Sequence, residues 1–108
     1  MDPTGFSWIV TRHDDASVLR AAGDLDLASV EQFRAGLAEA MADPMPAHVV
    51  IDLQDIDFCD SSGLNALIWA ANRVEETGGR LVLRGLRPRM TRLLRMTGLD
   101  RRFATSDA

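Results

Sequence analysis

Apolar and polar positions follow a strand-like pattern at the start of the chain and a helical one later. Phe6-Ser7-Trp8-Ile9-Val10 is built of strand-forming residues, Asp14-Asp15 is a turn signal, and Ser17–Ala22 can return as a second strand. Strands joined this closely should pair antiparallel. Gly23-Asp24-Leu25-Asp26 reads as a polar loop that ends the hairpin. From Ser29 the period becomes helical: Val30, Phe33, Leu37, Ala40 and Met41 mark one buried face. Ser29 and Gln32 have the spacing of a capping box, in which each side chain satisfies the other's backbone N–H. Asp43-Pro44-Met45-Pro46 stops this helix, because proline disfavours helix in the residue before it.

Val49–Leu53 is apolar apart from Asp52 and predicts a central strand under helices. A short acidic segment follows, with Asp55, Asp57 and Asp60. A second helix is predicted from about Ser61 to Thr77, ended by Gly78-Gly79. At 100° per residue, Leu64, Leu67, Ile68, Ala71 and Val74 share one face. Ser61, Ser62, Asn65, Trp69, Asn72, Arg73 and Glu76 fall on the other, which places Trp69 in the middle of a polar stripe. Leu81-Val82-Leu83 is a further strand. Pro88 opens a third helix with Met90, Leu93, Leu94 and Thr97 as its apolar face. Arg87, Arg89, Arg92 and Arg95 lie on or beside its solvent side. Gly98 ends that helix, and Leu99–Ala104 is read as a short edge strand. The order β-β-α-β-α-β-α, with one last strand, predicts an α/β domain. Its sheet is mixed, with four or five strands and three helices mainly on one face. A strand–helix–strand unit makes the pairing around Val49–Leu53 parallel.

The 108 residues suit one domain, 1–108, with a single core. The absence of a long apolar run argues against membrane insertion, and the N-terminus has no secretory pattern. One cysteine, Cys59, forbids an internal disulfide and fits a reducing, cytoplasmic setting. Charge is unevenly spread. Met1–Asp60 carries twelve acids and three arginines, whereas Ser61–Ala108 carries nine arginines and four acids. The chain is acidic overall, with a net charge of −4, and its arginines are not interleaved with aromatics. Direct nucleic-acid binding is therefore not expected.

Enzyme chemistry has little to stand on. The absence of lysine excludes a Schiff base and a complete Walker A motif. Neither Ser61 nor Ser62 lies in a G-x-S-x-G elbow. His48, at the entry to the central strand, belongs at the opposite end from Ser61, too far to act as its base. No Cys/His set has metal-ligand spacing, and no cofactor is implied. Asp24, Asp26, Asp55, Asp57 and Asp60 read as an exposed acidic rim rather than a cation site. What remains is a pair of hydroxyls where a strand ends and a helix begins. A helix start has unpaired N–H groups and a partial positive charge, so it tolerates an anion such as phosphate. The plainer reading makes Asp60 and Ser61 capping residues.

Asp60-Ser61-Ser62-Gly63-Leu64, following a βαβ pattern, resembles the signature of STAS domains, among them the bacterial anti-sigma factor antagonists. Gly23-Asp24-Leu25-Asp26 resembles that family's loop before its first helix, and Val50-Ile51-Asp52-Leu53 its central strand. Thr77-Gly78-Gly79 and Met96-Thr97-Gly98-Leu99 resemble later landmarks, so the likeness spans nearly the whole chain. The resemblance implies a binding protein, not an enzyme, that is phosphorylated on Ser61 by an anti-sigma factor that is also a serine kinase of the histidine-kinase ATPase fold. It implies that the unphosphorylated form releases a sigma factor and that a serine phosphatase acting on phospho-Ser61 restores binding. Asp26 matches the family's loop aspartate that helps binding. The partner-binding set is then Asp24, Asp26, Asp60, Ser61, Ser62, Asn65 and Trp69, the last on its position in the helix rather than on the resemblance. Family members often carry an additional C-terminal helix, and these residues leave no room for one. The alternative is a STAS scaffold subunit of a larger assembly, such as a stressosome or a membrane-transport complex.

Overall fold

The computed structural model describes residues 5–106. The chain runs β1 (Ser7–His13), β2 (Ala16–Leu25), α1 (Val30–Ala40), β3 (His48–Cys59), α2 (Ser61–Glu76), β4 (Arg80–Arg84), α3 (Pro88–Met96) and β5 (Ala104–Ser106). The five strands form one mixed sheet in the order β1-β2-β3-β4-β5. β1 and β2 are antiparallel, turning tightly at Asp14, whose φ of 53° an aspartate tolerates. The other three pairings are parallel, each bridged by one helix. A chain that steps steadily across a sheet through crossovers of one hand leaves its helices on one face.

Burial alternates accordingly. Ser17, Leu19 and Ala21 of β2, Val49, Ile51 and Leu53 of β3, and Leu81 and Leu83 of β4 are buried. They meet Phe33 and Leu37 of α1, Leu67 and Val74 of α2, and Met90 and Leu94 of α3 in one continuous core. Neighbouring positions point to an open face: Ile9 is 60% exposed, and Val18, Val50 and Val82 are half-buried. Across that face, register aligns Arg20, Asp52 and Arg84 on adjacent strands. Asp52 accepts from the Arg84 guanidinium at 3.0 Å, with Arg20 at 4.0 Å on the other side. The central strand is thus covered by helices on one face only. On the other face the arginines shield its carboxylate.

Three boundaries and one cap differ from the sequence reading. β3 does not end at Leu53 but continues through the acidic stretch to Cys59, and Gly23, Asp24 and Leu25 belong to β2 rather than to a loop. The two extensions support each other: after register shifts between Arg20/Ala22 and Gly23/Asp24, Asp24 pairs with Phe58 and Leu25 with Cys59. The last strand starts only at Ala104, because residues 100–102 turn and Phe103 is buried. Ser29 stands at the N-cap of α1, but its side chain does not cap the helix. Its hydroxyl is instead spent on the preceding loop, donating to Asp24 O at 2.7 Å and accepting from Asp26 N–H at 3.0 Å, while the Asp26 carboxylate takes the N–H groups of Ala28 and Ser29.

Candidate functional site

β2 and β3 run parallel and finish together at Leu25 and Cys59, so the chain segments that follow them emerge side by side. Asp60 N–H donates to Leu25 O at 3.1 Å, which ties the start of α2 to the loop carrying Asp26. That loop is held from within by Asp26 and by the buried Ser29. Asp26 is therefore half-buried and occupied with backbone N–H groups, whereas Asp24 is exposed.

Asp60 is the N-cap of α2. Its Oδ1 accepts from Ser62 N–H at 2.8 Å and Gly63 N–H at 3.4 Å. Ser61 occupies the first helical position and is exposed. Its hydroxyl makes no hydrogen bond among the described residues. Ser62 is half-buried. Of the two capping candidates, Asp60 caps and Ser61 does not. Gly63 explains the close seating: a Cβ there would meet Leu25 Cγ at 2.6 Å and Cys59 Sγ at 2.8 Å. Burial, and then the neighbouring charge of Asp60, push the Cys59 thiol up from 9.0 to about 12, so it is neutral and unreactive at ordinary pH. Among the described residues no group of His, Cys, Asp and Glu is placed to hold a metal ion.

Asn65, one turn after Ser61, is exposed. Trp69, a further turn on, is half-buried against the core rather than free on a polar stripe. α2 packs on α1 as well as on the sheet: Ala66 and Ala70 are fully buried along with Leu67 and Val74. The buried arc is wider than one sheet contact needs, and Trp69 sits on its rim. The Arg34 guanidinium of α1 lies over the indole at 5.3 Å from the ring centroid. Sequence reasoning missed Arg34, since a single helical pattern does not show which residue crosses to a neighbour. It also missed Leu27, 77% exposed beside Asp26, and Phe58, 45% exposed near the end of β3. The apolar identity of Leu27 within a polar turn was the available signal.

The profile of the family described as "Mlab, STAS domain" matches residues 8–105. The chain is 30% identical over 87 residues to the anti-sigma F factor antagonist of Paenibacillus polymyxa, an alignment spanning 81% of this chain and 74% of that one. The crystal structure of an anti-sigma factor antagonist from Mycobacterium paratuberculosis superposes with a TM-score of 0.81 at 30% identity, covering 99% of this chain and 90% of that one. The phosphorylated form of the Bacillus cell fate determinant SpoIIAA has a similar fold, with a TM-score of 0.71 at 24% identity over 94% of this chain and 92% of that one. A five-stranded mixed sheet with three helices, a capped serine turn at the end of its central strand and a family profile over almost its full length leave one assignment: the chain belongs to the STAS domain family.

Proposed function

We propose that this protein is an anti-sigma factor antagonist, a cytoplasmic regulatory binding protein rather than an enzyme. Its unphosphorylated form binds an anti-sigma factor that is also a serine kinase of the histidine-kinase ATPase fold, and so frees a sigma factor. Phosphorylation of Ser61 ends the binding, and a serine phosphatase restores it. The Paenibacillus polymyxa relative and the Mycobacterium paratuberculosis structure, both anti-sigma factor antagonists, support the antagonist role.

The observation that carries the switch is the division of labour at the start of α2. Asp60 does the capping, so the exposed hydroxyl of Ser61 is available for transfer without loss of a structural bond. Phosphate there adds about −1.5 to −2 charges at pH 7. It stands at the positive end of a helix, so the domain need not unfold. It also stands next to the Asp60 carboxylate and the Asp26 loop, where it raises the negative potential of the docking edge. Asp24, Asp26, Asn65 and Trp69 complete the proposed contact. The test is incubation with the cognate kinase and ATP, followed by mass spectrometry and a binding assay. Phosphate on Ser61 and loss of kinase binding are expected. Phosphate on Ser62, or undiminished binding by phospho-Ser61, overturns the assignment.

A further inference from the structure

Beside this edge, between the end of β3 and α3, lies a half-open groove of about 520 Å³. Ile56, Phe58, Leu93 and Met96 supply its apolar surface, and Cys59 also lines it. Phe58 is 45% exposed and Met96 is 77% exposed, so two large apolar side chains face solvent at one spot. Contiguous exposed apolar surface rimmed by polar groups marks interaction sites.

The rim is basic. Arg87, Arg89 and Arg92 line the groove with a single carboxylate, Asp57. Asp57 is already taken by Arg87 at 2.9 Å, and its backbone carbonyl accepts from Arg89 at 3.4 Å. Arg92 has no hydrogen bond or ion pair among the described residues. Arg89, Arg92, Leu93 and Met96 are spaced i, i+3, i+4 and i+7, which is one stripe of α3. The buried Met90 and Leu94 belong to the adjoining stripe and anchor the helix on the core. α3 therefore presents a ready second face, two cations followed by two apolar side chains, with Phe58 beside it.

We propose that this groove docks an acidic amphipathic helix of a partner protein, with apolar side chains laid between Phe58, Leu93 and Met96 and carboxylates meeting Arg89 and Arg92. Helix-in-groove recognition uses this kind of apolar stripe, and methionine adapts to varied apolar partners. Uncompensated arginines select the sign of the occupant and speed its encounter. The inference stands apart from the role of Ser61 and fails or holds separately.

The test uses the full chain and fluorescent helical peptides of leucine and glutamate in amphipathic order. The controls are the same peptide with lysine for glutamate, a scrambled leucine–glutamate peptide, and phosphatidylglycerol vesicles. Saturable binding of the ordered acidic peptide is expected, with amide shifts gathered at residues 56–59 and 87–96. Met96→Glu and the pair Arg89→Glu with Arg92→Glu should each weaken it by at least about tenfold. All three substituted positions are exposed, and unaltered circular dichroism confirms that the variants fold. The inference is overturned by no saturable binding up to about 1 mM, by equal binding of the lysine or scrambled peptide, by variants that bind like the parent, or by vesicles that bind through these residues when the peptide does not.

Discussion

The carboxylate of Asp60 accepts the N–H groups of Ser62 and Gly63, while the hydroxyl of Ser61 beside it bonds nothing among the described residues. Substitutions at the two positions should therefore separate. Asp60→Ala is expected to cost about 0.5–2 kcal/mol of stability, the usual range for a lost N-cap. Ser61→Ala and Ser61→Asp should stay within about 0.5 kcal/mol of the parent, as exposed changes usually do. Denaturant midpoints decide it, and a Ser61→Ala loss as large as that of Asp60→Ala would end the idea of a free hydroxyl. The residue before the cap makes a second prediction. The Cys59 thiol is pushed up from 9.0 to about 12 in the folded state by burial and by Asp60. The unfolded chain therefore loses this proton first, and stability falls as pH rises above about 9 toward 12, with a limiting slope near ~1.4 kcal/mol per pH unit. The chain has no lysine and no tyrosine to blur that window. Cys59→Ala should flatten the alkaline fall, and a fall of the same slope in that variant would refute the cause.

At the scale of elements, glycine and charge decide how closely the pieces meet. Gly63→Ala would press a methyl into the buried Leu25 and into Cys59. Overpacking of this kind costs about 1–3 kcal/mol, visible as a lower denaturant midpoint. Asp52→Ala would leave Arg84 and the Gln54 N–H without their acceptor on the open face of the sheet. A loss of about 1–3 kcal/mol is expected, and Asp52→Asn, which can still accept, should lose less. A parent-like midpoint for Asp52→Ala would reduce the charged row to ornament. These elements also show where sequence reading reaches. α2 was legible to its ends, because Asp60 and Gly78-Gly79 punctuate it and its apolar stripe is long. The site inherited that clarity, since Asp60, Ser61 and Gly63 sit on the punctuation itself. Local pattern makes β3 too short, because Asp55 and Asp57 look like loop residues. What keeps them in a strand is pairing with β2 through two register shifts, a property of two distant segments that local pattern does not contain. The groove beside α3 went unseen for the same reason: Phe58 becomes an exposed apolar position only once β3 is known to continue.

For the whole molecule, the loop after β2, the start of α2 and the α3 groove share the end of the sheet where β2 and β3 finish, while α2 carries Asn65 and Trp69 away from it. One partner approaching that end would meet Ser61 first and Trp69 two turns further along the helix. Trp69 is half-buried, with Arg34 over its ring, so it combines a fixed orientation with a remaining exposed edge. A tryptophan held this way loses little freedom on binding, and such residues often dominate interface energy. Trp69→Ala is therefore expected to weaken binding of the anti-sigma factor by at least about 2 kcal/mol. Because part of the ring packs on the core, the same variant should also melt lower, and the binding assay belongs well below its transition. Arg34→Ala supplies the control. It uncovers the indole without removing it, so binding should be retained while the fluorescence of Trp69 shifts toward that of a more hydrated ring. If Trp69→Ala, shown to be folded, holds the partner as tightly as the parent, then Trp69 serves only the α1–α2 contact, and the docking edge is confined to Asp24, Asp26 and the Ser61 turn.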